Sequence, residues 1–224
     1  MDIVNSIIAS LHQIAETGGP VVVVLMAVAV LTLAVSIYKV WQFWRSAVGR
    51  HTALSQAVAA WDQGDRAAAR VALGRSKSYL VPVVDLAMSS PQGGAERLQA
   101  EAEAQFAKLE TGFRLLDSVA QLAPLLGLFG TVLGMIEAFQ SLQAAGSQVD
   151  PSILAGGIWV ALLTTAVGLV VAMPTAVILS WLEQRMEAER VIADKAILTV
   201  LHPTGAKPRK AGAGAFDGAV AAHG

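Results

Sequence analysis

The sequence predicts an all-α membrane protein: three transmembrane helices with long cytoplasmic helical extensions. Three observations lead there. Of 224 residues, 54% are apolar and 15% charged, and the mean hydropathy is +0.56, too apolar for an ordinary soluble domain of this size. Pro20 to Tyr38, Ser118 to Leu142 (interrupted only by Glu137) and Pro151 to Leu182 are free of charge or nearly so. Each can cross about 30 Å of hydrocarbon, which takes roughly 20 residues of helix. Finally, all sixteen Lys and Arg residues lie between Lys39 and Arg114 or from Arg185 onward. With three spans, the preference of cationic loops for the inner side puts the amino terminus and second loop outside, and the first loop and tail in the cytoplasm.

The elements follow in order. Residues 1–19 form an external amino-terminal segment without Lys or Arg, so the apolar run behind it reads as a retained span rather than a secretory signal. The first span covers 20–44. The segment 45–117 is a cytoplasmic helical domain rich in Ala, Gln, Arg and Glu. Gly64, Gly74, Pro82 and the run from Ser89 to Gly94 divide it into three short helices and one long one. From Ala95 no breaker occurs before Gly112, which predicts a helix running straight into the second span, 118–142. An external loop, 143–156, leads to the third span, 157–182, and a helical extension, 183–201, ends before Pro203. Two helices of about 40 residues, about 60 Å each, are therefore expected. The tail, 202–224, is Gly/Ala-rich and reads as disordered; its Lys207–Lys210 cluster is solvated or touches anionic membrane lipids. Trp41, Trp44, Trp159 and Trp181 fall near span ends, where indoles anchor at the interface.

Composition also excludes classes of function. Without cysteine there is no disulfide, zinc-thiolate site or thiol nucleophile. A net charge of −1 argues against nucleic acid as a partner. Gly74 to Ser78 lacks the spacing of a phosphate-binding loop, His12, His51, His202 and His223 are scattered in polar segments, and no metal-ligand spacing occurs. The reading is therefore not an enzyme, with no cofactor and no metal.

Projected at 100° per residue, Ala123, Gly127, Gly130, Thr131, Gly134, Glu137, Ala138 and Ser141 share an arc of about 120° on the second span. On the third, Gly157, Ala161, Thr164, Thr165, Gly168, Ala172 and Ala176 share a similar arc. Such stripes let backbones approach closely, so both faces are built to pack against protein, with Gly127, Gly130, Gly134, Ala161 and Gly168 as close-packing positions. Thr131, Thr164 and Thr165 either bond back to their own helix or line a narrow wet path. Glu137 is the one ionisable group well inside a span. It is either a functional intramembrane carboxylate or, five residues before Leu142, a side chain reaching outer water.

The run Ala123-Pro-Leu-Leu-Gly-Leu-Phe-Gly-Thr-Val-Leu-Gly-Met-Ile-Glu-Ala-Phe139 resembles the second-span signature of the MotA/TolQ/ExbB proton-channel family. Ala161-Leu-Leu-Thr-Thr-Ala-Val-Gly-Leu169, continued to Met173-Pro174, resembles its third-span signature. The resemblance covers about residues 20–200, and three spans are more like ExbB and TolQ than the four-span flagellar stator. It implies a homopentamer in the bacterial inner membrane, around a central pore threaded by a dimer of an ExbD-like or TolR-like single-span partner. It further implies that proton flow energises a TonB-like or TolA-like protein. Thr131 and Thr165 match the family's pore-lining threonines, and the titrating aspartate belongs to the partner. ExbB-type relatives often carry a glutamate five residues before the pore threonine, where this chain has Val160. Two alternatives stay open: a TolQ-like stator for envelope integrity and division, and a non-conducting membrane scaffold.

Overall fold

The computed structural model describes residues 2–46, 48–89, 94–144 and 151–205, with the backbone alone for 2–18. Within them every regular element is a helix: α1 (Asp2–Arg45), α2 (Thr52–Asp62), α3 (Arg66–Arg75), α4 (Val81–Ser89), α5 (Ala95–Glu110), α6 (Phe113–Ala144) and α7 (Pro151–Leu201). Most of the tail expected to be disordered, including Lys207–Lys210, lies outside the described residues, as does 145–150 of the external loop. Gly19–Arg45, Phe113–Ala144 and Pro151–Leu201 are long and apolar enough to cross a membrane.

Local chemistry sets the breaks. Gly19 leaves the helical region (φ 69°, ψ −170°), and Pro20 opens the next run, where a ring with fixed φ and no N–H costs nothing. Asp65 caps α3 by accepting the Ala68 N–H at 2.9 Å. The helix expected to run unbroken from Ala95 into the second span is instead two. α5 stops at Glu110, and Gly112 adopts φ +94°, where a side chain would be strained. The cause is partly remote: the buried Lys39 Nζ donates to the Leu109 carbonyl at 3.1 Å and to Gln42 Oε1 at 2.7 Å. It thereby satisfies a carbonyl that the end of α5 leaves open. α7, by contrast, runs as one helix for 51 residues, past Pro174.

The chain divides into two compact units. The first takes Met1–Arg45 and Ala107–Ala188. Leu25 of α1, Ala123 of α6 and Val171 and Ala172 of α7 form a core there, flanked by Val21, Val28, Val119, Leu126 and Val167. Its outer surface is apolar, with Val30, Ile37, Leu125, Phe129, Leu162 and Val177 exposed, as are Trp41, Trp44, Trp159 and Trp181. The second takes Ser46–Phe106 and Glu189–Gly224. Trp61, Leu73, Leu80, Val83, Leu98, Phe106 and Ile197 are buried in it, one or more from each of α2 to α5 and α7. The Trp61 Nε1–H donates to the Val200 carbonyl at 3.0 Å, and the Asp62 carboxylate accepts from the Thr204 N–H and hydroxyl. The end of α2 thus holds the end of α7.

Candidate functional site

The small-residue stripes of α6 and α7 face one another within the chain. A Cβ at Gly127 would lie 2.9 Å from the Thr164 carbonyl oxygen and 3.0 Å from Thr165 Cα; one at Gly168 would lie 2.6 Å from the Ala123 carbonyl oxygen. Gly130 abuts the Thr164 side chain, Gly134 abuts Ala161, and Gly157 abuts Ala138. Residue numbers rise on one helix as they fall on the other, so the seam is antiparallel. Backbone meets backbone along it, a distance of approach that small residues permit.

Thr164 is the hydroxyl inside the seam. It is 2% exposed, and its single proton lies 2.7 Å (oxygen to oxygen) from the Ala161 carbonyl and 3.1 Å from that of Gly127 across the seam. Thr131 donates to Leu128 at 2.6 Å in its own helix. Thr165 Oγ1 is buried and has no hydrogen-bond partner among the described residues. Thr131 follows Gly130 and Thr165 follows Thr164, so each is turned about 100° from a seam residue in the same helical sense. In an antiparallel pair that sense carries both threonines to one side. Val171, clustered with Leu25 of α1, and Val119, Leu126 and Val167, which pack against that cluster, are turned the other way. Thr131 and Thr165 therefore share the flank of the α6–α7 pair that α1 leaves open.

Glu137 is not brought to that flank. It is exposed, six residues beyond Thr131, hence about 9 Å along α6 and about 120° around it. Val160, five residues before Thr165, is half-buried and precedes the buried Ala161. Among the described residues no cluster of His, Cys, Asp or Glu is arranged to hold a metal ion.

One constellation was not foreseen. His51, at the start of α2, places Nδ1 3.0 Å from Ser78 Oγ and Nε2 2.6 Å from Glu189 Oε2 of α7, and the Tyr79 hydroxyl donates to the same carboxylate oxygen at 2.7 Å. His51, Ser78 and Glu189 are 6%, 5% and 1% exposed. The partners lie 27 and 138 positions from the histidine, with no spacing to connect them. A serine, an imidazole and a carboxylate in line resemble a hydrolytic set, but these are sealed in the core of the second unit. There they satisfy one another.

Comparison with known proteins agrees with this architecture. Residues 62–195, more than half of the chain, match the model of the MotA/TolQ/ExbB proton channel family. An ExbB-like biopolymer transport protein of Synechocystis sp. is 32% identical over 166 residues, 70% of this chain and 64% of the relative. The biopolymer transport protein exbB1 of Vibrio cholerae is 46% identical over 67 residues, 30% of this chain and 29% of the relative. The Tol-Pal system protein TolQ of Haemophilus influenzae is 40% identical over 80 residues, 36% and 35% of the two chains. The matched region spans less than two thirds of each of these relatives. An antiparallel glycine seam joining two apolar helices, with two threonines on its open flank, thus sits inside a match covering most of the chain, and the chain belongs to the MotA/TolQ/ExbB proton channel family.

Proposed function

We propose that the chain is the stator-type subunit of a proton-driven motor of the bacterial inner membrane, more like ExbB than TolQ. Five copies surround a pore that a dimer of an ExbD-like or TolR-like single-span partner enters, and the motor energises a TonB-like protein for outer-membrane transport. The observation that carries this reading is the shared open flank of Thr131 and Thr165, with the Thr165 hydroxyl buried and unpartnered among the described residues. A buried hydroxyl without a partner is costly, and rotation of the Thr165 side chain about χ1 toward this flank would let a partner helix or a file of water satisfy it. Hydroxyls do not change charge near neutral pH, so the proton-carrying carboxylate comes from the partner. One charge crossing 100 mV releases about 2.3 kcal/mol, so a few protons per cycle suffice to remake interface contacts. The one-sided distribution of Lys and Arg supports a periplasmic amino terminus and a cytoplasmic carboxyl terminus. In this reading Glu137, near the outer end of α6, helps protons enter.

A second reading rests on the back-bonds of Thr131 and Thr164 to their own helices, which a passive scaffold would also make. Proton flux into vesicles carrying the chain with its partner separates the two. Thr131→Val and Thr165→Val keep shape and remove the hydroxyl; the motor reading expects at least about a tenfold loss of flux, and wild-type flux in both variants would reject it. Full energised function and flux in Glu137→Gln across the pH range would remove Glu137 from the pathway.

A further inference from the structure

We propose that a groove between α1 and α7 holds one acyl chain of an anionic phospholipid, with Arg45 at its mouth taking the headgroup phosphate. The groove lies within the first unit and has two stretches. The deeper, about 210 Å³, is lined by Thr32 of α1 and by Val171 and Pro174 of α7; the outer, about 450 Å³, runs past Ile37, Val40, Trp41 and Trp44. Leu33, Ser36 and Ile178 line both, so the two are continuous. From Leu33 to Trp44 the outer stretch follows about 16 Å of helix, close to the depth of about 15 Å that one leaflet contributes to the hydrocarbon. Its walls belong to helices long and apolar enough to cross a membrane, so what reaches them comes from the lipid phase rather than from water.

Chemistry at the mouth selects the head. Trp44 is 77% exposed and Trp41 more than half exposed, so both offer indoles where hydrocarbon gives way to headgroups. The Arg45 guanidinium lies 5.3 Å from the Trp41 ring centroid, which keeps the cation over a wall of the groove. Arg45 is exposed and forms no ion pair with a carboxylate among the described residues. An apolar slot of one leaflet's depth, below a guanidinium without a counter-ion, is complementary to a hydrocarbon chain that carries a phosphate at its end. The guanidinium can donate two parallel N–H bonds to phosphate oxygens. A zwitterionic lipid brings its own cation to compete for those oxygens, whereas phosphatidylglycerol does not, so the site prefers the anionic lipid. The seated chain fills space that the side chains of α1 and α7 leave open.

The inference rests on α1 crossing the membrane and not on the motor reading. The full chain, reconstituted with its co-purifying proteins into vesicles of equal parts phosphatidylglycerol and phosphatidylcholine, then re-extracted and washed with detergent, is the sample for native mass spectrometry. One spectrum counts subunits, retained lipids and other proteins. The wild type should keep one phosphatidylglycerol per chain, preferred over phosphatidylcholine by about fivefold, the worth of one cation at a charged surface. Arg45→Gln should bring the two lipids to parity. Ile37→Trp, at an exposed position, fills the groove and should lose both lipids, whereas Val177→Trp, equally exposed on α7 but outside the groove, should keep the wild-type lipid. Equal retention of the two lipids by the wild type, an undiminished preference in Arg45→Gln, or lipid retained in Ile37→Trp would overturn the site. So would an Ile37→Trp chain that sheds subunits or a single-span protein while keeping its lipid, since the groove would then belong to a protein helix.

Discussion

At the scale of the residue, what matters along the α6–α7 seam is volume, and at Thr165 it is polarity. A Cβ on Gly168 has to enter the Ala123 carbonyl, which is backbone and yields little, so Gly168→Ala should lower stability by about 1–3 kcal/mol and Gly168→Leu should prevent the pair from closing. At Gly156 a methyl group would meet nothing within 4 Å, which makes it the matched control: Gly156→Ala should leave thermal stability of the purified protein unchanged. Thr165→Val should behave in the opposite way to an ordinary loss-of-function change. Removing a buried hydroxyl without a partner is neutral or stabilising by about 1 kcal/mol, while flux falls, so melting temperature and activity should move apart. The small stripes themselves were legible in the sequence because glycine is conspicuous on a helical projection. That they meet each other, and that Thr164 rather than Thr165 bonds across the seam, was not, since one helical wheel says nothing about the opposing one.

At the scale of the element, the ends of helices are held by side chains from distant parts of the chain. Lys39 reads in the sequence as one more cation on the inner flank, yet its ammonium is buried and ends α5. Lys39→Met should leave the Leu109 carbonyl without this donor and Gly112→Ala should strain a left-handed residue, each costing about 1–3 kcal/mol. Limited proteolysis between Glu110 and Phe113 should speed up in both, and equal cleavage in wild type and variants would show that the turn is held by other contacts. Trp61→Phe should similarly loosen the last turn of α7 by depriving the Val200 carbonyl of its donor. Hydropathy, charge and breaker residues made the three apolar helices and the short helices between them readable. The break at Gly112 was hidden because a lone glycine in a helical pattern is ordinarily tolerated, and what decides the matter lies some seventy positions earlier.

At the scale of the whole molecule, the proposed assembly predicts a dependence on company. Native mass spectrometry of the protein, gently extracted from its own membrane, should find five copies with two of a single-span protein bearing an intramembrane Asp, and the third component retained with them should be TonB-like or Tol-like. The subunit alone, reconstituted at the same density, should conduct protons poorly or not at all; robust flux from it alone would move the proton carrier into this chain. Because the chain has no cysteine, single and paired cysteine variants can map the neighbours of Thr131 and Thr165 without background. The family was legible from two span motifs, whereas the His51 network was not, because its parts are joined by folding alone. The glycine seam has a last consequence, for how the protein is made. Residues with no rotamers to lose line nearly all of it, so α6 and α7 can zip together as they leave the insertion machinery without freezing long side chains, and the hairpin can be complete before any second copy arrives.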